Sequence, residues 1–133
     1  QYFERARFEW HPENQGAARV LLGLLGRTAT AGREHESPFQ PAPARDPARY
    51  FAPTQHNLAP EFATYWQTYG GLAIYGYPIS EPFQETSPTD GHVYLVQYFE
   101  RNRLEFHPEL PAAYRVSLGL LGVDVLRARG WIP

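Results

Sequence analysis

Glutamate and histidine lie two positions apart at two places in the sequence, a pair that could serve acid–base or metal chemistry. The pairs are Glu9 with His11 and Glu105 with His107. Residues two apart on a strand share one face, so the members of each pair would act together. A metal site needs three or four ligands, and no third ligand stands at a convincing spacing. We therefore predict no metal, no cofactor and no catalytic residue, and interpret the glutamates as cross-strand partners of arginine.

Four arginines alternate with glutamates beside these pairs. They are Arg5 and Arg7 near the first pair, and Arg101 and Arg103 near the second. Planar guanidinium groups bind carboxylates, phosphates and sugar acids. The four arginines are therefore candidate contacts for a ligand or partner. The alternative interpretation is a solvated network of ion pairs.

Two tyrosines flank a glycine and could stack on sugar rings. Tyr75 and Tyr77 stand on either side of Gly76, next to Pro78, where the chain must turn tightly. Tyrosine offers an apolar face with a polar rim, so both are candidate ligand contacts. Ser80 follows this turn without the surroundings of a nucleophile elbow, which argues against a hydrolase serine.

An internal repeat must position all of these residues. The segments QYFERARFEWHPE (1–13) and QYFERNRLEFHPE (97–109) are identical at ten of 13 positions, and the match continues without a gap to residues 26 and 122. Each residue of the first copy thus corresponds to the residue 96 positions later. Repeats of this kind bury their faces against neighbouring modules.

Local patterns predict the elements of the second copy and of the segment before it. Residues 92–99 and 104–107 favour the two strands of a hairpin, with a turn at 100–103. Residues 112–122 favour a short helix and 123–129 a last one. Pro60 predicts the start of a longer helix, which ends at Gly70-Gly71.

These elements predict an α+β fold of small repeat modules, each a β-hairpin plus short helices, in two related copies joined by a proline-rich linker. We predict a partial repeat at 1–33, an extended linker at 34–53, where five prolines fall, and a complete module at 54–133. The first hairpin has no helix and turn before it. Its unpaired edge and unburied face must be covered either by another chain or by the second copy.

Composition narrows the function classes. The net charge of −2 gives no basic face for nucleic acid, and no apolar run is long enough to span a membrane. The absence of Cys and Met suits an extracellular protein exposed to oxidants. Arginine without lysine, together with 13 prolines, favours a thermophilic source. A first residue Gln inside a repeat predicts a product processed from a longer chain.

The motifs of the complete module resemble the LGFP repeat. The resemblance covers about 50–133 and, in part, 1–26, although Tyr75-Gly76-Tyr77 departs from the Leu-Gly-Phe or Leu-Gly-Tyr of that family. It is closer to a variant found in secreted and surface proteins of Chloroflexi-type bacteria. It implies a non-catalytic extracellular module that holds proteins at the cell envelope. The matching motifs are Tyr65-Trp66, Gly70-Gly71, residues 76–81, residues 97–100 and residues 106–108.

Two functions remain open at this point. The first is a secreted structural or binding module at the cell surface, not an enzyme, whose partner is cell-wall glycan or copies of itself in a head-to-tail filament. The alternative is an accessory domain cleaved from a cell-wall hydrolase or protease, which would bind glycan for its enzyme.

Overall fold

Eight short strands and four helices build the fold in the computed structural model, which describes residues 1–133. The α+β class predicted from the sequence is confirmed. None of the helices has the length and apolar character needed to cross a membrane. The strands are β1 (Phe8–Trp10), β2 (Val20–Leu22), β3 (Tyr50–Phe51), β4 (His56–Asn57), β5 (Phe83–Thr86), β6 (Val93–Tyr98), β7 (Arg103–Phe106) and β8 (Val116–Leu118), and the helices are α1 (Leu25–Thr30), α2 (Pro60–Thr68), α3 (Gly71–Ile74) and α4 (Leu121–Ala128).

The largest sheet is antiparallel, with its four strands in the order β5-β6-β7-β8. The predicted hairpin forms its centre, and Arg103 belongs to a strand rather than to the turn. Strand β8 lies where a helix was predicted, because Val116 and its neighbours pair with the open edge of β7. The helix α2 begins at Pro60 as predicted.

The two copies of the repeat form the same local strand pair, which we call the first hairpin (β1–β2) and the second hairpin (β7–β8), as distinct from the predicted β6–β7 hairpin. In the first copy Phe8 pairs with Leu22 and Trp10 with Val20. In the second copy the corresponding pairs are Leu104 with Leu118 and Phe106 with Val116. The register is identical at an offset of 96 residues, so the changed side chains Phe8 and Trp10 occupy the same positions in the pleat as their counterparts.

The two copies also pack on each other through reciprocal contacts. The helix α1 starts against the carbonyl of Phe99, where a Cβ on Gly26 would lie 1.8 Å from the oxygen. The helix α4 starts against the carbonyl of Phe3, where a Cβ on Gly122 would also lie 1.8 Å away. Only glycine permits both approaches. Each copy therefore supplies the docking surface for the helix of the other.

Two apolar clusters form the core on opposite sides of the central sheet. The first lies between α2 and the outer face of β7 and β8, and includes Phe62 and Trp66. The second brings Leu25 of α1 and Leu121 of α4 together with Val96 of β6. Because Leu25 and Leu121 are equivalent residues, the second cluster is shared by the two copies.

The segment 34–53, predicted to be an extended linker, packs against both clusters. Phe39 lies against Phe83 and Tyr98, and the carbonyl of Pro38 accepts a hydrogen bond of 2.8 Å from the backbone N–H of Glu81. Phe51 packs edge-on against Trp66. Aromatic side chains among the prolines find apolar surface to bury, and this burial fixes the segment in place.

Candidate binding surface

An apolar face of the first hairpin lies open to solvent. We call it the first-hairpin face, and it consists of Phe3, Phe8, Trp10, Val20 and Leu22. Strand register places the last four on one side of the β1–β2 pair, and the ring of Phe3 lies 4.8 Å from that of Phe8. The exposed fractions are 45% for Phe3, 42% for Phe8, 64% for Trp10 and 52% for Val20. Contiguous apolar exposure of this kind is typical of a docking surface.

The equivalent face of the second hairpin is covered. Its residues include Phe99 and Leu104, both 0% exposed, and they belong to the first core cluster. The helix α2 covers them with Phe62 and Trp66, and Tyr75 completes the cover. The remaining members of this second-hairpin face are Phe106, Val116 and Leu118.

The covering polypeptide, residues 58–80, is attached by buried hydrogen bonds as well as by apolar contact. We call it the cover segment. The Gln97 side chain donates to the carbonyls of Asn57 at 2.7 Å and Ser80 at 2.8 Å, and accepts from the N–H of Ala59 at 3.0 Å. The Ser80 hydroxyl accepts from the N–H of Tyr98 at 3.0 Å. These bonds give the glutamine of the QYFE motif a structural task.

The tight turn at the end of the cover segment is hydrogen-bonded to the turn between β6 and β7. Gly76 has a φ of +74°, and a Cβ there would lie 2.8 Å from Cβ of Glu100. The Glu100 carboxylate accepts from the N–H of Tyr77 at 3.0 Å, and the carbonyl of Tyr75 accepts from the N–H of Arg101 at 3.1 Å. The spacing Gly-Tyr-Pro is thus explained by a close approach to residue 100.

The corresponding residues of the first copy contact no such segment. Gln1 and Glu4, which correspond to Gln97 and Glu100, are exposed to solvent. Neither side chain makes a hydrogen bond or an ion pair within the chain. The first hairpin therefore retains both the apolar and the polar groups of a covered hairpin.

The structure places the two candidate tyrosines differently. Tyr75 is buried in the first core cluster, and burial raises the pKa of its hydroxyl above the usual range. It offers no free face to a sugar ring, so its predicted role as a ligand contact is wrong. The cause is the glycine turn, which directs Tyr75 towards Phe99 rather than towards solvent. Tyr77 is half-buried, with its ring 5.7 Å from that of Phe51.

Arg7 and Arg103 form matching ion pairs within their own hairpins. Arg7 contacts Glu9 at 2.5 Å and Arg103 contacts Glu105 at 2.7 Å. Arg103 is buried and also donates to the hydroxyl of Tyr98 at 3.2 Å. The sequence left open a solvated ion-pair network, but the pair of Arg103 with Glu105 is buried. These contacts engage both guanidinium groups within the chain.

Arg5 and Arg101 connect the two copies to each other. The Arg101 Nε donates to the carbonyl of Leu22 at 3.1 Å, and Arg5 donates to the equivalent carbonyl of Leu118. Arg101 makes one contact more, from its NH1 group to the carbonyl of Leu72 in the cover segment at 3.0 Å. Arg5 has no such second contact.

Each histidine of the Glu–His pairs lies between two carboxylates. In the first copy His11 is 2.7 Å from Glu13 and 3.4 Å from Glu9, and these two hydrogen bonds raise its pKa. His107 is 3.1 Å from Glu109 and 3.3 Å from Glu105. No group of three or more histidine, aspartate or glutamate side chains is arranged to hold a metal ion.

The residues that form the first-hairpin face were not named from the sequence. Aromatic and β-branched residues in a strand indicate core, so Phe8 and Trp10 gave no separate signal. The informative signal is the difference in what precedes each copy, since Phe106 occupies the same position as Trp10 but follows a cover segment.

Comparison of the chain with models of protein families, with curated proteins and with solved structures finds no match.

Proposed function

We propose that this chain is a non-catalytic structural and binding module of the bacterial cell surface, which joins other protein through its first-hairpin face. The observation that carries the proposal is the contrast between equivalent residues. Phe3 and Phe8 are exposed, whereas Phe99 and Leu104 are fully buried at the same positions of the same fold. A surface that is core in one copy and open in the other has the shape and chemistry of a docking site.

The residue types on the first-hairpin face favour a protein partner. Binding hot spots are enriched in tryptophan and other large aromatic side chains near the centre of an interface. Trp10 is such a residue, with Phe8 and Val20 beside it on one sheet surface. The other edge of β1 is already occupied at Phe8, whose N–H donates to the carbonyl of Gln1 at 2.9 Å and whose carbonyl accepts from the N-terminal amine at 2.8 Å. The side chains of the first-hairpin face, rather than the strand edge, therefore form the proposed docking surface.

The proposed location and the choice of partner rest on the sequence. The absence of Cys and Met and the resemblance to LGFP repeats favour the cell surface. Self-assembly is the version of the proposal in which the partner is another copy. The alternative, an accessory domain that binds glycan for a hydrolase or protease, now depends on Tyr77, because Tyr75 is buried.

Sedimentation of the purified chain over a concentration series tests self-assembly. Self-assembly predicts association that increases with concentration and that Trp10→Glu abolishes. Tyr114→Glu is the matched control, because Tyr114 is similarly exposed at 68% but lies outside the first-hairpin face. A chain that stays monomeric at every concentration contradicts self-assembly.

A pull-down on purified cell walls tests the glycan alternative. Retention that Tyr77→Ala abolishes and Trp10→Glu leaves intact would favour glycan binding over protein docking. Retention that depends on Trp10, or no retention above a control protein, would count against it.

A further inference from the structure

We infer that the first-hairpin face binds a helix-and-turn segment built like the cover segment, supplied by another stretch of polypeptide. This inference rests on the proposed function and names the occupant of its docking surface. The partner's chemistry is read from residues 58–80: a helix with Phe and Trp four positions apart, as Phe62 and Trp66 are, followed by a Gly-Tyr-Pro-x-Ser turn.

The apolar part of the match covers five residues. Each of these five second-copy residues of the first core cluster has an apolar counterpart in the first copy, and three of the five pairs are identical. The two changed pairs enlarge one ring and replace one leucine by phenylalanine. A helix with the side chains of α2 would therefore meet the same kind of surface on the first hairpin. The pairs are Phe3 and Phe99, Phe8 and Leu104, Trp10 and Phe106, Val20 and Val116, and Leu22 and Leu118.

The polar part of the match is kept as well. Gln97 binds two carbonyls and one N–H of the cover segment and its flanks, and Gln1 presents the same side chain with none of these partners. Glu100 accepts from the N–H of Tyr77, and Glu4 presents a free carboxylate at the same position. Because the counterparts of Gln1 and Glu4 bind specific backbone atoms of a cover segment, these two side chains favour such a segment over an apolar partner without matching polar groups.

Arg5 makes one of the two contacts that the equivalent Arg101 makes. Arg101 bonds both the neighbouring hairpin, at Leu22, and the cover segment, at Leu72. Arg5 makes the first of these contacts, at Leu118, and lacks the second. The first copy is therefore already docked on its neighbour and lacks the contacts that a cover segment would make.

A count of elements indicates where the occupant comes from. The chain has two equivalent hairpin faces and one cover segment, which is already seated on the second-hairpin face. Exchange of cover segments between copies would expose one face for each face it covers. The occupant is therefore a cover-like segment from polypeptide other than residues 58–80 of this chain.

Titration of the full chain with a synthetic peptide of residues 54–82 tests this inference. We expect binding by calorimetry, together with a shift of the Trp10 indole N–H resonance, since that side chain passes from solvent to an interface. Trp10→Glu should weaken binding at least about tenfold, as expected for loss of a central aromatic anchor. Tyr114→Glu should bind like the wild type, and a peptide carrying F62E should not bind.

A fused chain tests the same inference in case the isolated peptide is too short to fold. Residues 54–96 are placed directly before Gln1, which reproduces the connection that precedes Gln97. We expect the Trp10 indole to become protected from solvent and the thermal midpoint to rise, and F62E in the added copy to cancel both effects. Failure of both the peptide and the fusion to protect Trp10 overturns the inference.

Two further outcomes separate the inference from the proposed function. Equal peptide binding by the wild type and Trp10→Glu would place the peptide elsewhere and overturn the inference. Association of the wild type through Trp10 that neither peptide nor fusion prevents would mean that two first-hairpin faces pack together. In that case the proposed function holds and the cover-like occupant is wrong.

Discussion

Gln97 shows how one residue type takes two different roles in a repeat. Its amide lies in the protein interior and holds backbone atoms of residues 57, 59 and 80, whereas the identical Gln1 faces solvent. A buried amide that satisfies three backbone groups cannot be removed without leaving them unpaired, and an unpaired buried group costs about 1–3 kcal/mol. The amide of Gln1 satisfies no such groups.

We expect Gln97→Ala to lower the free energy of unfolding by about 3 kcal/mol because it leaves buried groups unpaired. Gln1→Ala is the matched control, and its effect should stay within about 0.5 kcal/mol, as for other surface substitutions. Urea denaturation of the two variants measures both values. Equal losses in the two variants would contradict the assigned role of Gln97.

His56 makes stability depend on pH. It is buried beside Glu81, with Nδ1 3.2 Å from the carboxylate. Burial lowers its pKa, although Glu81 acts in the opposite direction. The unfolded chain, in which the pKa is about 6.5, then binds the proton more readily than the folded chain. The contribution of His56 is therefore complete above that value and declines as the pH falls below it.

The expected result is a free energy of unfolding that falls as the pH decreases from about 6.5, with a smaller slope in His56→Asn. His11→Asn is the comparison, since the pKa of His11 is raised and its loss should change the slope in the opposite sense. Chemical denaturation between about pH 7.5 and 5 measures this, above the range in which most carboxylates titrate. A His56→Asn variant with an unchanged slope would rule out the assignment.

At the scale of elements, the reciprocal seating of α1 and α4 holds the copies together. Gly26 and Gly122 allow each helix to start directly on a carbonyl of the other copy. We expect Gly26→Ala and Gly122→Ala to destabilise the chain by similar amounts, about 3 kcal/mol each, because the added Cβ displaces backbone. Thermal unfolding of both variants measures this.

Gly16→Ala is the control for these helix variants. Gly16 has a φ of +58° and no neighbouring atom within 4 Å, so alanine there adds backbone strain alone, about 1 kcal/mol. If Gly26→Ala costs no more than Gly16→Ala, the close seating of α1 does not contribute to stability.

Elements with strong local signals could be predicted from the sequence. The central hairpin, the start of α2 at Pro60 and the turn at Gly76 follow from β propensity, proline geometry and glycine conformation. Strand β8 could not be predicted, because the spacing of its apolar residues also suits a helix. The segment becomes a strand because it pairs with the free edge of β7. Segment 34–53 contacts the core for a similar reason, since Phe39 and Phe51 bury against residues far along the chain.

The sequence predicted an unburied face on the first copy, but it did not identify the residues that form this face. The missing cover before the first copy predicted an unburied face on that hairpin. The residues named as contacts were arginines and tyrosines, because those types commonly bind ligands. Arg103 and Tyr75 are buried instead, since both take part in packing that involves partners far away in sequence. Whether an aromatic residue is core or surface depends on such partners, and Trp10 has none.

For the whole molecule, the shared core argues against independent behaviour of the first copy. Leu25 and Leu121 are equivalent residues, both essentially inaccessible to solvent, in one cluster. A unit made of residues 1–33 alone would expose Leu25. We therefore expect the chain to unfold in one cooperative transition, although the sequence suggested a partial repeat, a linker and a complete module.

Two pairs of alanine substitutions test this cooperativity and the asymmetry of the two faces together. Leu25→Ala and Leu121→Ala should each lower the stability of the same transition by about 2–5 kcal/mol, since each removes a buried side chain. Leu104→Ala should cost a similar amount, whereas Phe8→Ala, at the equivalent open position, should cost less than about 1 kcal/mol. Urea denaturation followed by both tryptophan fluorescence and far-UV circular dichroism reports these values. If fluorescence and circular dichroism showed separate transitions and Leu25→Ala affected only one of them, the first copy would fold by itself. Its contact with the second copy would then not be needed for its stability.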